Sequence, residues 1–154
     1  MKQKALTISC VFIIGVSLFI LGCKKDDHEI IKPVAEYGER NPAFSPDGKF
    51  IAYVDNSSVP CSICLLKLST GDITDLTYGW SADWSPDGEW IVYVWARDIY
   101  KINVETNEIK QLTTWGSCFF PDWSPNGNRI AFDISGGDSG GIWLMDTNGI
   151  NFKR

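Results

Sequence analysis

A chain of 154 residues with 44% hydrophobic and 13% aromatic side chains, seven of them Trp, carries enough apolar surface for one packed domain and is not a disordered tail. Its formal charge is -5, and no stripe of clustered Lys and Arg appears in it. Recognition of a nucleic-acid backbone is therefore excluded, because that needs basic side chains to displace counterions.

The first element in chain order is a targeting segment over residues 1–22. Lys2 and Lys4 make a short positive start, the stretch from Ala5 to Leu21 is apolar or small throughout, and Ile20-Leu21-Gly22-Cys23 ends it at Lys24-Lys25-Asp26-Asp27. An uncleaved membrane span is the competing reading, but the run is slightly short of the roughly 20 residues that a bilayer crossing needs. The order resembles a bacterial lipoprotein signal. That resemblance implies an acylated Cys23, a tether over residues 23–33 and anchorage to the bacterial outer membrane, facing the periplasm or the cell surface. The charged run behind Cys23 is similar to the export tag of Bacteroidetes-type surface lipoproteins, and it reads equally well as a solvated tether through His28. Once Lys2 and Lys4 leave with the signal, 12 basic and 19 acidic side chains remain.

Beyond the tether the chain repeats. Asn41–Val54, Ser81–Val94 and Phe120–Asp133 align, with turns that begin at Ser45, Ser85 and Ser124, a period of 40 and then 39 residues. Pro46, Pro86 and Pro125 preset φ for a tight turn, and Gly48, Gly88 and Gly127 accept positive φ, so each copy starts with a hairpin. The second strands are Phe50–Val54, Trp90–Val94 and Arg129–Phe132, runs of β-branched and aromatic residues too short for helices. Third strands follow at Ile63–Leu68, Ile99–Val104 and Ile142–Asp146. Fourth strands follow at Ile73–Thr77, Ile109–Thr113 and Phe152–Arg154. The copies run over about 34–79, 80–116 and 117–154, the last incomplete, and Ile30–Val34 has the spacing of a fourth strand ahead of the first copy.

The aromatic-Ser-Pro-Asp-Gly hairpins, together with the Leu-Thr ends at Leu76 and Leu112, resemble the TolB-like, WD40-like β-propeller repeats. The resemblance implies an all-β fold of three four-stranded antiparallel blades in an open, partial propeller. Closed rings take about 4 to 8 blades, so the expectation is the leading part of a longer protein, or a half-propeller that pairs with a second copy. Open blade edges imply self-association. The function implied is a non-catalytic cell-envelope lipoprotein that presents a propeller scaffold to a protein, peptide or glycan, with no cofactor. The alternative is the leading propeller of a larger enzyme, a prolyl-oligopeptidase-like peptidase or a polysaccharide lyase, whose catalytic part is absent.

Gly137-Asp138-Ser139-Gly140-Gly141 spells a serine nucleophile loop, yet the chain's single His28 sits in the tether, and a strand rather than a helix is expected to follow. Catalysis by Ser139 is rejected on those grounds. Cys61 and Cys64 have the spacing of a loop-stapling disulfide, two free thiols or a redox pair. Zinc needs more ligands than the remaining Cys118 supplies, so no metal site is expected. Asp83 and Asp122 precede Trp84 and Trp123 at equivalent places, where Ala43 stands in the first copy. In the propeller family that strand is innermost, which makes the pair a candidate for contact with a cation or a peptide amine, or else a solvated or blade-bridging carboxylate. Trp80 and Trp115 fall in connecting segments and are candidate ligand contacts.

Overall fold

The computed structural model describes residues 39–57, 59–138 and 140–154. The signal segment, Cys23, the tether, Ile30–Val34 and Ser139 therefore lie outside the described residues. Within them every regular element is a strand. The first sheet has the order β1 (Glu39–Phe44), β2 (Phe50–Asp55), β3 (Ser62–Lys67), β4 (Ile73–Tyr78), and the second β5 (Trp80–Trp84), β6 (Trp90–Trp95), β7 (Asp98–Asn103), β8 (Ile109–Gln111). In the third, β9 (Cys118–Trp123) pairs with β10 (Arg129–Ile134) and β10 with β11 (Gly141–Asp146). All pairings are antiparallel between consecutive strands, the pattern of propeller blades in an open partial propeller.

Two fourth strands are shorter than the sequence pattern predicts. β8 stops at Gln111 rather than Thr113, because the Thr113 hydroxyl accepts the Ile99 N–H at 2.9 Å and donates to Asp98 at 2.8 Å. A side chain thus replaces the next rung of the ladder. Phe152–Arg154 contributes a single bridge, Leu144 to Lys153, with bonds of 2.7 and 2.8 Å.

The hairpin turn does more than reverse the chain. Ser45 donates from its hydroxyl to Asp47 at 2.7 Å and accepts the Phe50 N–H at 2.9 Å, while Asp47 accepts the Lys49 N–H at 3.0 Å. The same bonds recur from Ser85 and Ser124, with Asn126 in place of the aspartate in the third copy. Ser and an Asp or Asn side chain are therefore used locally, since each turn satisfies its own backbone donors.

These turns also stack. A Cβ on Gly88, whose φ is 76°, would stand 3.7 Å from the Pro46 ring, and one on Gly127 would stand 3.8 Å from Pro86. Between sheets, β5 meets β1 and β2, and β9 meets β5, β6 and β7, so the sheets converge at their first strands. Trp84, Ile91, Tyr93 and Ile102 pack on Ala52, Ile63 and Leu65 of the first sheet. One sheet further on, Trp123, Ile130, Phe132 and Met145 pack on Val92, Val94 and Ile99. The Trp84 indole N–H donates to the Ala43 carbonyl at 3.1 Å. Where two of these short sheets face one another they are apolar and bury each other.

Ser85 is 1% exposed, whereas the bonds of Ser124 are exposed to solvent. Ser85→Ala is expected to cost about 1–3 kcal/mol, the range for a buried polar group left without its partner. Ser124→Ala is expected to cost less than Ser85→Ala, and urea unfolding of the two variants checks the order.

Candidate functional site

Alternating strand direction places the Ser-Pro turns and the third-to-fourth strand turns at one end of the sheets. The opposite end carries the segments 78–80, 95–98, 112–118 and 134–141. Near this loop end each first strand is bulged. Its pairing shifts register between Arg40 and Ala43, between Trp80 and Asp83, and opposite Ala131–Asp133 in the third sheet. Asn41, Ser81 and Phe120 sit at the bulges with φ of 52°, 54° and 49°, a conformation that is rare for a phenylalanine.

The bulge at Phe120 turns that ring out of the sheet, 62% exposed, to meet Trp80 edge-on at 6.3 Å. Trp80 also lies 5.5 Å from Phe119. Separately, Tyr78 lies 6.0 Å from Trp95 with the two rings tilted by 32°, both exposed. The loop end therefore presents five aromatic rings in two clusters, Tyr78 with Trp95 and Trp80 with Phe119 and Phe120, three of the rings open to solvent, a composition that favours contact with a protein or sugar surface. Of the five, the sequence reading singled out Trp80. Phe120 had a visible signal, a large aromatic aligned with Asn41 and Ser81 at a position that demands positive φ.

Trp115 lies in a connecting segment, as expected, and keeps part of its surface open to solvent. It is 41% exposed, but its ring packs on Phe152 at 4.4 Å, Trp143 at 5.6 Å and Phe132 at 5.8 Å. Asp98 fixes its loop by accepting the N–H groups of Trp115 at 2.7 Å and Gly116 at 3.1 Å. Most of this ring serves to bind the connecting loop to the third sheet.

Asp83 and Asp122 are brought together at the seam between the second and third sheets. Asp83 accepts the Trp123 backbone N–H at 2.8 Å. Burial pushes its carboxyl above the ordinary value; the Trp123 N–H opposes this, and the charge of Asp122 with its hydrogen bond adds to it. Asp83 is thus a bridge between blades, while Asp122 is exposed and open to a cationic group.

Cys61, Cys64 and Cys118 are unbonded thiols. β3 begins at Ser62, and an extended run separates residues three apart by roughly 10 Å, beyond the span of a disulfide, so the loop-stapling bond is not formed. Cys64 is buried and donates to Asp75 at 3.0 Å; burial first, then Asp75, pushes its thiol up to about 12. Such a thiol is a poor nucleophile and a poor redox partner. Among the described residues no group of three or more His, Cys, Asp and Glu side chains is placed to hold a metal ion.

Comparison with known proteins agrees with this architecture. The family described as the dipeptidyl peptidase IV (DPP IV) N-terminal region matches residues 57–120. An uncharacterized peptidase, YuxL, of Bacillus subtilis is 30% identical over 119 residues, which is 66% of this chain and 18% of that protein. A putative TolB from Agrobacterium tumefaciens superposes with a TM-score of 0.71 at 25% identity, covering 78% of this chain and 50% of that one. TolB from Acinetobacter baumannii superposes at 0.68 with 27% identity, covering 75% and 31%. The chain spans a third or less of the length of the curated relatives it matches.

Two variants separate charge from bonding at Asp83. Because its folded pKa is raised, its contribution to stability is complete below the unfolded value near 3.9 and is lost as pH rises through the folded value. Wild type is therefore expected to lose stability relative to Asp83→Asn, which keeps the acceptor, as pH rises above the unfolded value near 3.9. Asp83→Ala is expected to cost about 1–3 kcal/mol throughout, because it orphans the Trp123 N–H. Thermal unfolding as a function of pH reads both, and a pH-independent gap between wild type and Asp83→Asn rejects the assignment.

Proposed function

Taking TolB-like propeller blades as the material of this chain, we propose that it is a non-catalytic recognition scaffold of the bacterial cell envelope. In this reading an acyl group on Cys23 holds it to the outer membrane, and its loop end binds a protein, peptide or glycan. The observation that carries the reading is the cluster of Trp80, Phe119 and Phe120, with Phe120 held out by a strained bulge, and the exposed pair Tyr78 and Trp95 at the same end. Rigid strands fix the rings before any partner arrives, which lowers the ordering cost of binding. The envelope location rests on the lipoprotein-like signal and on the TolB-like resemblance. The uncovered face of the third sheet is assigned to self-association: Ile142 is 66% exposed there, whereas its counterparts Ile63 and Ile99 are fully buried.

The match to a dipeptidyl peptidase N-terminal region and the likeness to YuxL favour a second reading, in which these blades lead a larger peptidase. Immunopurification from the source cells separates the two. A species much larger than this chain that reacts with a fluorophosphonate serine probe supports the peptidase and overturns the scaffold.

Three further outcomes are expected. Palmitate labelling of the expressed chain disappears in Cys23→Ala, and unchanged labelling rejects the anchor. On peptide and glycan arrays, ligands retained by the full chain lose at least tenfold in affinity with Phe120→Ala or Trp80→Ala, since central aromatic contacts commonly carry 2 kcal/mol or more. Arrays with no retained ligand, or binding indifferent to both variants, reject the cluster of Trp80, Phe119 and Phe120 as the site. In sedimentation velocity, Ile142→Asp lowers the proportion of associated species.

A further inference from the structure

The two seams between sheets are built from equivalent positions with different residues. At the seam between the second and third sheets these positions hold Trp90, Lys101 and Lys110. The Lys101 and Lys110 ammonium groups stand 4.5 and 4.9 Å from the centre of the Trp90 ring. Lys101 is only 6% exposed, so its butyl stem is laid into the seam. At the seam between the first and second sheets the same positions hold Phe50, Leu65 and Thr74. No cation lies over the Phe50 ring among the described contacts, and a cavity of about 680 Å³ opens there.

The walls of that cavity are apolar, made by Phe50, Leu65, Leu76 and Trp84, and its mouth lies among the turns. Three carboxylates, Asp47, Asp72 and Asp87, line it against the single ammonium of Lys67. Lys49 already engages Asp47 at 2.9 Å. Asp72 and Asp87 form no ion pair among the described residues. An apolar slot with carboxylates at its mouth complements an unbranched aliphatic chain that ends in a cation, which is the group that fills the sister seam from within.

We propose that this seam is a binding site for the lysine side chain of a peptide or protein segment. The butyl stem lies along Phe50 and Leu65, and the ammonium reaches Asp72 and Asp87. The site sits at the turn end, away from the aromatic clusters, and does not depend on the function assigned to them.

The test titrates the full chain with acetyl-Gly-Gly-Lys-Gly-Gly-amide and with its norleucine counterpart, following the methyl signals of Leu65 and Leu76 by NMR. Saturable shifts with the lysine peptide in the millimolar range are expected, at least tenfold weaker with norleucine and at least fivefold weaker in Asp72→Asn/Asp87→Asn. The second of those changes is compatible with the fold, because Asn126 makes the same turn in the third copy. The triple variant Phe50→Trp/Leu65→Lys/Thr74→Lys, which rebuilds the sister seam here, is expected to keep the dispersed spectrum and to abolish the shift of the Leu76 methyls. Equal response to both peptides, binding indifferent to the aspartates, undiminished binding by the rebuilt seam, or no shift at 20 mM peptide each overturns the proposal.

Discussion

A four-stranded sheet of six-residue strands cannot bury its own apolar face, and everything else in this molecule answers to that constraint. Trp84, Ile91, Tyr93 and Ile102 leave water only because Ala52, Ile63 and Leu65 stand opposite. Trp123, Ile130, Phe132 and Met145 repeat the arrangement one sheet further on. Burial of a large apolar side chain is worth about 1.5–3 kcal/mol, and each seam contains several. Directional contacts then set how one sheet sits on the next: a proline ring against a glycine, an indole N–H on a carbonyl, and a carboxylate on a backbone N–H. None of these contributes as much as the apolar burial. Each admits only one register, however, so together they turn a slippery apolar contact into a fixed angle.

What the sequence made legible follows from the range of the interactions involved. The Ser-Pro turns at 45, 85 and 124 close bonds within five residues, so their geometry is written locally, and the second strands follow from them. The fourth strands are less legible. Ile109–Thr113 reads as a strand, yet Thr113 leaves the ladder because its hydroxyl finds Asp98 and the Ile99 N–H, fourteen or more residues away in sequence. The ring contacts of Trp115, which stays 41% exposed, were not legible either. Its position in a connection marks it as exposed, but three rings of the third sheet take up much of its surface once the sheets have stacked. The spacing of Cys61 and Cys64 carries no information about an extended backbone that holds the two thiols apart.

The aligned carboxylates show the same limit from the other side. Asp83 and Asp122 were visible as a pair from the repeat alone. Their inequality was not, because it arises from position in the stack rather than from residue type. Asp83 has a sheet beyond it whose Trp123 N–H takes one of its oxygens, while no described strand lies beyond Asp122. Burial raises the proton affinity of Asp83, and the bond from Trp123 restrains the rise. Identical letters in successive copies thus have different chemistry, one fixing a joint between sheets and the other facing solvent.

Divergence between copies is where a repeat architecture acquires function, because the scaffold tolerates any side chain that does not disturb the stacking. The bulge position shows this with Asn41, Ser81 and Phe120: one backbone conformation is kept while the side chain grows from a polar stub to an exposed ring. The seams show it again. Exchanging Trp90, Lys101 and Lys110 for Phe50, Leu65 and Thr74 leaves the strands paired in the same register and opens a cavity with carboxylates at its mouth. With Leu65 and Thr74 where the sister seam holds lysines, the acidic rim of this seam faces Lys67 alone. A fold whose joints are fixed by backbone and turn contacts accommodates such a vacancy without collapsing, since Trp84 and Pro46 keep the two sheets at their spacing while the wall residues change.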